Sequence, residues 1–331
     1  MDDTTDCCVS PLSDTSLALT LTHPVICVVG PTATGKSELA QMLAEHLDGE
    51  VVSADSMQIY KGMDIGTGKV KECERRVTHH GLDLVEPGTA FSAALYQDYA
   101  RKCFEDINER GKRIILAGGT GLYVRAAIDD YHFPRGEQVE NSVRETYMRY
   151  AQEHGEDALW QLLLERDPES ARVIHPHNVR RVVRAFELLE CGQSYAVQKE
   201  NLAHISQAVP AVFVGITIKP ALLVKRIDAR IDAMFEEGLV DEVKSLLDKG
   251  LRLGITAPQA IGYKEIVTYL DGQCSLDEAR ERIQIATHRY AKRQRSWFRR
   301  DKRINWIDAS DLTMDEVFRQ AITYCEKNNS V

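Results

Sequence analysis

The chain reads VICVVGPTATGKS from Val25 to Ser37, and this stretch decides the fold class. It begins with an apolar run that does not alternate with polar residues, as in a strand buried on both faces of a parallel sheet. It ends with the pattern G-x-x-x-x-G-K-[ST], and helical periodicity follows over Glu38–Leu47. The stretch therefore predicts a strand, a phosphate-binding loop and a helix in succession.

The residue types of the loop define its chemistry. Glycines let backbone amides face one phosphate, and the helix N-terminus adds partial positive charge. Lys36 supplies a full positive charge, and the Ser37 hydroxyl can ligate magnesium. We expect a diphosphate or triphosphate to be held by Gly30, Pro31, Thr32, Ala33, Thr34, Gly35, Lys36 and Ser37. Neither the base-reading stretch of a GTPase nor the Asp-Glu strand end of a hydrolytic ATPase is evident, so hydrolysis is not indicated.

Segments with strand and helix patterns alternate on both sides of this loop. Further strands are expected at 50–54, 81–85, 113–117 and 212–218, with helices at 38–47 and 91–108. This alternation predicts an α/β fold, a P-loop-containing doubly wound parallel sheet.

The pattern changes after Tyr131. Up to residue 198 only helical patterns occur, at 139–152, 157–165 and 178–190, and after the strand at 212–218 helices continue to about residue 300. We therefore expect a flexible N-terminal tail at 1–22, a P-loop catalytic core at 23–130 plus 206–331, and a small all-helical insertion at 131–205.

The composition narrows the class of protein. The chain has 331 residues, of which 44% are hydrophobic and 27% charged, so it is globular rather than disordered. No run reaches the roughly 18 apolar residues of a membrane helix, and the N-terminal residues lack the positive charge of a secretory signal. The eight cysteines include no CxxC pair, which indicates free thiols in a reducing compartment. We expect a cytoplasmic enzyme that acts as a monomer, without membrane contact.

Two further groups of residues follow expected strands. Asp55 lies just past the second strand, at the edge where open α/β sheets bind ligands. It could accept a proton or bind magnesium through water, or it could simply cap a helical turn. Thr120 follows two glycines after a later strand, where it offers a hydroxyl to a ligand or caps the next helix. Position alone does not decide between these roles.

Taken together, the motifs resemble those of the tRNA dimethylallyltransferases, also called tRNA isopentenyltransferases. The resemblance covers roughly residues 24 to 308, in the order of the family. It rests on the loop 30–37, DSMQIYKGMDIGT at 55–67, GGTGLY at 118–123, RRVVRAFE at 180–187, AIGYKE at 260–265 and YAKRQRSWFR at 290–299.

The resemblance implies transfer of a five-carbon allylic group from dimethylallyl diphosphate to the exocyclic amine of adenosine 37 of tRNA, next to the anticodon. The phosphate loop, Lys36 and a magnesium ion on Ser37 would then hold the leaving diphosphate. Asp55 would be the general base, and Thr120 would orient Asp55 or the adenine. Arg226 and Arg230 are four residues apart on one predicted helix face. That face could clamp the diphosphate, with Arg230 the preferred residue, or it could be a solvated face paired with acids.

The resemblance also implies contacts with the tRNA anticodon stem-loop. The expected residues are Asp55, Ser56, Met57, Gln58, Arg144, Arg180, Arg181, Arg184, Gln259, Ala260, Ile261, Gly262, Tyr263 and Lys264. Arg180 stands where the family usually has Gln, so a phosphate contact is expected there in place of a specific hydrogen bond.

A basic segment near the C-terminus also suits RNA. Between Arg289 and Arg303 lie eight Lys or Arg residues, with Tyr290, Trp297 and Phe298 among them, which fits phosphate contacts and base stacking. We expect Phe298 to lie in the core, whereas Trp297 could face either the core or RNA. A positive side is compatible with the net charge of −9 if the acids lie elsewhere.

Two other enzyme classes share parts of these patterns. An adenylate isopentenyltransferase uses the same donor but a free nucleotide as acceptor, and a P-loop nucleotide kinase or ATPase would use Asp55 and Arg230 in phosphoryl transfer. The helical insertion and the basic segment favour the tRNA enzyme. An RNA-binding module without catalysis is disfavoured because Lys36, Ser37, Asp55 and Thr120 are all present.

Overall fold

The structure is a computed structural model that describes residues 19–131, 133, 142–201 and 205–328. The strands in these ranges are β1 (Val25–Val29), β2 (Gly49–Ser53), β3 (His79–His80), β4 (Arg113–Gly118), β5 (Ala211–Thr217) and β6 (Ile304–Asp308). They form one sheet in the order β3-β2-β4-β1-β5-β6, and every neighbouring pair is parallel. The predicted α/β fold with a parallel sheet is confirmed.

Helices pack against the sheet, and further helices make up the segment between β4 and β5. They are α1 (Lys36–His46), α2 (Ala93–Glu109), α3 (Gly121–Ile128), α4 (Ser142–His154), α5 (Glu156–Arg166), α6 (Pro168–Val173), α7 (Val179–Glu190), α8 (Tyr195–Asn201), α9 (Pro220–Glu236), α10 (Leu239–Asp248), α11 (Tyr263–Leu270), α12 (Leu276–Phe298) and α13 (Met314–Lys327). In the described part of the chain no helix is both long and apolar enough to span a membrane.

The central strand β1 explains the position of the site. It lies between β4 and β5 and is buried along its whole length, which is why its sequence is apolar without alternation. β1, β2 and β4 all end at the same edge, so the phosphate loop, Asp55 and Thr120 emerge side by side. Gly118 permits this close approach, because a Cβ there would lie 2.2 Å from the Ala54 carbonyl oxygen.

The helices between 142 and 201 share an apolar cluster of their own. Leu159 and Leu163 of α5 pack with Val182 and Phe186 of α7. Tyr147 of α4 stacks on Phe186 at 3.9 Å between ring centroids. The helical patterns expected at 139–152, 157–165 and 178–190 thus correspond to α4, α5 and α7 within the described residues.

The structure corrects some expected boundaries. The strand predicted at 81–85 is instead the two-residue β3, because Gly81 turns the chain at a positive φ of 78° and Val85 forms only an isolated bridge to Tyr60. Ordered contacts begin before Pro24, since Leu19 and Leu21 pack against the core and the Thr22 amide donates to Asn108 at 2.8 Å. The rest of the predicted tail, 1–18, lies outside the described residues.

Candidate active site at the carboxyl edge of the sheet

A cavity of about 320 Å³ opens at the carboxyl edge of the sheet. The phosphate loop and α1 form one wall, and the loops after β2 and β4 form the next. Segments 66–68 and 259–262 and the helices α9 and α12 complete the lining. The expected site residues that line it are Thr32, Lys36, Ser37, Asp55, Ser56, Met57, Gln58, Arg230, Gln259, Ala260, Ile261 and Gly262.

The phosphate loop folds around its own carbonyl group at Pro31. That oxygen accepts hydrogen bonds from the Thr34 hydroxyl at 2.8 Å and from the Lys36 ammonium at 2.6 Å. Burial and the nearby Arg230 guanidinium lower the pKa of Lys36 to about 8, against the opposing pull of Asp55. Lys36 and Arg230 therefore bring positive charge into the partly buried cavity, where an anionic ligand would interact strongly with them.

One amide of the loop has a partner within the protein. The Thr32 N–H donates to Oε1 of Gln294 at 2.9 Å, and Nε2 of the same side chain donates to the Gly119 carbonyl at 2.9 Å. Gln294 is buried in α12 and so ties the phosphate loop to the loop after β4. The Thr32 amide is therefore already engaged by a side chain of the protein.

Asp55 stabilises the turn after β2 and also lines the cavity. Its Oδ1 accepts a hydrogen bond from the Met57 amide at 2.9 Å, which stabilises the turn after β2. The side chain nevertheless lines the cavity. Burial raises the pKa of Asp55, although the Met57 amide, Lys36 and Arg230 oppose that shift. A carboxylate with a raised pKa beside two cations is suited to accept a proton.

Thr120 supports this turn and does not cap a helix with its side chain. It occupies the N-cap position of α3, but its hydroxyl makes no capping bond there. Instead Oγ1 accepts from the Ser56 amide at 3.0 Å and donates to the Ser56 hydroxyl at 3.3 Å. The Tyr290 hydroxyl of α12 pairs with both Thr120 and Gln294, and burial raises the pKa of Tyr290. Thr120 thus reaches Asp55 through the neighbouring residue.

Of the two arginines expected on one helix face, only Arg230 lines the cavity, whereas Arg226 is exposed. One Arg230 nitrogen lies 3.5 Å from the Thr67 carbonyl oxygen. Burial lowers the pKa of Arg230, and Asp55 and Glu237 oppose the shift. The guanidinium lies so close to segment 66–68 that a Cβ on Gly68 would be 1.4 Å from it.

The arginines expected to contact tRNA divide into two groups. Arg144 and Arg184 both pair with the buried carboxylate of Glu187, at 2.6 and 2.7 Å. Arg180 and Arg181 are exposed at the start of α7, and Arg180 reaches Gln259 at 3.5 Å. Arg180 thus links the start of α7 to segment 259–262.

The last two expected contacts of the AIGYKE segment differ in their surroundings. Tyr263 is fully buried, and its hydroxyl donates to Glu242 at 2.6 Å. Lys264 is exposed, with its ammonium 3.4 Å from Glu265. Tyr263 therefore packs behind the cavity lining formed by segment 259–262, whereas Lys264 faces solvent.

The helix α12 has two different faces. Ile283, Thr287, Tyr290 and Gln294 line the cavity, whereas Arg289 and Lys292 of the helix are exposed, as are Arg299 and Arg300 beyond its end. Phe298 is buried, as expected, and Trp297 is 41% exposed. Sequence reasoning assigned Gln294 no role and Tyr290 only base stacking. Their four-residue spacing from each other, in line with Ile283 and Thr287, is the signal that would have placed them on the inner face.

Comparison with known proteins places this geometry in a family. A sequence model described as "IPP transferase" matches residues 58–301. A tRNA dimethylallyltransferase of Geobacillus thermodenitrificans is 45% identical over 305 residues, which cover 90% of this chain and 96% of the relative. One of Rhodococcus jostii is 46% identical over 294 residues, 88% of this chain and 94% of the relative.

Solved structures agree with these relatives. A tRNA isopentenylpyrophosphate transferase from Bacillus halodurans superposes with a TM-score of 0.66 at 39% identity, covering 92% of this chain and 97% of the other. A eukaryotic dimethylallyltransferase described as acting on tRNA gives a TM-score of 0.72 at 29% identity, covering 88% of this chain and 75% of the other. This chain therefore belongs to the IPP transferase family, the family of the tRNA dimethylallyltransferases.

Proposed function

We propose that this enzyme, a prenyltransferase acting on tRNA, transfers a dimethylallyl group from dimethylallyl diphosphate to the exocyclic amine of adenosine 37, beside the anticodon. The observation that carries the proposal is that Lys36, Asp55 and Arg230 line the same cavity. Two cations and one carboxylate there influence one another's pKa values. Such a site can receive an anionic leaving group and a proton in one reaction.

The leaving group needs positive charge above all. As the bond between the allylic carbon and the diphosphate oxygen breaks, the oxygen keeps the electron pair and the carbon gains cationic character. Lys36, Arg230 and the phosphate-loop amides other than that of Thr32 would neutralise the departing diphosphate. The residues we assign to this subsite are Gly30, Pro31, Thr32, Ala33, Thr34, Gly35, Lys36, Ser37 and Arg230.

The residues of the cavity also fit magnesium. Ser37 is exposed at the start of α1 and lines the cavity, and Asp55 supplies a carboxylate nearby. Magnesium usually takes one or two protein oxygens together with substrate phosphates and waters. No cluster of three His, Cys, Asp or Glu residues that could hold a metal occurs among the described residues, in keeping with a metal that comes with the substrate. When bound, magnesium would offset charge on the leaving diphosphate.

Asp55 would take the proton that the adenine amine loses as its nitrogen bonds to the allylic carbon. The amine is a poor nucleophile, so a fixed acceptor assists attack. Thr120 keeps that acceptor in place through Ser56, whose amide it holds at 3.0 Å. We therefore assign Asp55 as general base, Lys36 to the leaving group and Thr120 to positioning.

Adenosine 37 would have to leave the base stack of the anticodon loop to reach Asp55, since a stacked adenine cannot enter a cavity beside the phosphate loop. Ser56, Met57, Gln58 and segment 259–262 line the route on the protein side. The exposed Arg180, Arg181 and Lys264 would contact phosphates, whereas Arg144 and Arg184 would act from their pairs with Glu187.

We propose the same division of the chain that the sequence predicts. A catalytic core at 23–130 plus 206–331 would carry the chemistry, and the insertion at 131–205 would hold the tRNA. The separate apolar cluster of Leu159, Leu163, Val182 and Phe186 supports this division. Because the acceptor is tRNA, we place the enzyme in the cytoplasm, and the complete cavity within one chain supports action as a monomer.

The test is a transfer assay with purified protein, magnesium and radiolabelled dimethylallyl diphosphate. Unmodified tRNA with adenosine at position 37 should take up label, and the same tRNA with guanosine there should not. AMP, ADP and ATP are offered separately as acceptors and should remain unlabelled. Label in free nucleotide, or in the guanosine-substituted tRNA, would contradict the proposal.

A further inference from the structure

Glu242 of α10 holds the loop that forms one wall of the cavity. Its Oε2 accepts hydrogen bonds from the amides of Asp64 at 3.1 Å and Ile65 at 2.7 Å. Its Oε1 accepts from the amide of Gly66 at 3.2 Å and from the Tyr263 hydroxyl at 2.6 Å. Three successive amides around one carboxylate form an anion-binding turn, and here the anion belongs to the protein itself.

The loop fixed in this way touches the groups that face the substrates. Segment 66–68 lines the cavity. The Thr67 carbonyl oxygen lies 3.5 Å from Arg230 and 3.4 Å from Nε2 of Gln58. Because a Cβ on Gly68 would fall 1.4 Å from the Arg230 guanidinium, loop and guanidinium are in direct contact. A shift of the loop would therefore move Arg230.

This arrangement also leaves the charge of Arg230 available. Within the described residues the guanidinium donates to the neutral Thr67 carbonyl at 3.5 Å and forms no ion pair with a carboxylate. Glu242 acts on Arg230 only through the loop, so the guanidinium is oriented without being neutralised. A diphosphate would meet an aligned cation that no carboxylate contacts directly.

We propose that Glu242 is a positioning residue for the donor: by binding the amides of segment 64–66 it sets the Thr67 carbonyl, which orients Arg230 toward the diphosphate. The inference rests on the proposed function, in which Arg230 binds the leaving group. It adds a residue outside the cavity whose loss should weaken diphosphate binding through Arg230 alone.

The test measures the affinity of inorganic diphosphate with magnesium by calorimetry, without prenyl transfer. Glu242→Gln keeps the size of the side chain but turns an NH₂ donor toward amide donors, so it breaks part of the hydrogen-bond set. We expect a weakening of about tenfold in the native background, and less than about threefold when Arg230 is already Ala, as for two residues that act in series. Asp241→Asn, on the same helix at an exposed carboxylate that pairs with Lys244, is the control and should bind as the native protein does.

Each alternative outcome speaks against the proposal. A lower melting temperature with diphosphate affinity unchanged would show that Glu242 is merely structural. Equal weakening in both backgrounds would show that it does not act through Arg230. If Arg230→Ala itself leaves the affinity unchanged, the diphosphate role of Arg230 fails, and with it this inference, even where transfer to tRNA proceeds.

A milder variant covers the case in which Glu242→Gln does not fold. Tyr263→Phe removes one of the four hydrogen bonds to the carboxylate and keeps the ring buried. We expect it to weaken diphosphate binding about two- to fourfold in the native background and not further beside Arg230→Ala. Unchanged affinity in the native background would overturn the proposal.

Discussion

At the scale of single residues, burial in the cavity favours the neutral forms of two groups that the proposed reaction needs charged. Burial raises the pKa of Asp55 and lowers that of Lys36 to about 8. In both cases the charged form costs stability of the folded protein, because the pKa shifts away from charge. The charge of each side chain partly opposes the pKa shift that burial causes in the other. Such shifted groups, which cost stability, are typical of functional sites.

Replacing Asp55 by Asn should therefore separate activity from stability. We expect turnover to fall by roughly 100-fold or more, the range of a lost general base. The melting temperature should rise, because at neutral pH the native protein no longer carries a buried carboxylate of raised pKa. Thermal unfolding and transfer rates of the two proteins test this.

The pH profile of stability provides the control for that variant. A raised carboxyl pKa means that the folded protein binds more protons than the unfolded chain between the two values. Stability therefore falls as pH rises through that window, and Asp55→Asn should lose this part of the dependence. A lower melting temperature for the variant would contradict this account of Asp55.

The pKa of Lys36 predicts that kcat/KM for the donor declines at alkaline pH, which gives the pH profile a basic limb. The protonated fraction falls roughly tenfold between pH 7 and pH 9 for a pKa of about 8, so kcat/KM for the donor should decline across that range. In Lys36→Arg this limb should disappear, because an arginine stays charged, even if its basal activity is lower. A basic limb that persists in the variant would assign it to another group.

At the scale of elements, α12 joins two loops that are far apart in sequence. Gln294 bonds to Thr32 and Gly119, 262 and 175 residues away. Gln294→Leu removes the partner of the part-buried Thr32 N–H and of the buried Gly119 C=O, and an unsatisfied buried group costs about 1–3 kcal/mol. We expect a lower melting temperature and a higher KM for the donor. Glu281→Gln, on the exposed side of the same helix, is the control. A variant with native donor KM would show that the link does not shape the diphosphate subsite.

The elements also show what sequence patterns can and cannot predict. The apolar, non-alternating runs predicted β1 and β4 because burial on both faces leaves a local signature. β3 was placed wrongly, since its two residues carry no periodicity and the Gly81 turn determines where pairing ends. Motifs drew attention to Lys36 and Asp55, which line the cavity, whereas Gln294 and Glu242 make contacts between distant segments that no local pattern records.

At the scale of the whole molecule, we expect the arginines of α7 to differ in their effects on tRNA binding and on stability, according to whether they pair with a buried carboxylate. Arg181 is exposed and forms no ion pair in the described part of the chain, so Arg181→Gln should weaken tRNA binding and reduce its salt dependence by about one charge. Arg184→Gln should lower the melting temperature as well, because Glu187 is buried and loses a partner. Salt titrations of tRNA binding, together with thermal unfolding, distinguish the two. Equal effects of both variants on both quantities would contradict the division.

The most direct test of the central claim is the stoichiometry of the reaction. Enzyme, magnesium, dimethylallyl diphosphate, tRNA and ATP are combined, and diphosphate, orthophosphate and prenylated adenosine are measured in the same samples. The account predicts one diphosphate released for each prenyl group attached to tRNA, with ATP left intact. Consumption of ATP with phosphate transfer, or release of diphosphate without prenylated tRNA, would contradict a phosphate loop that holds the leaving group of a prenyl donor.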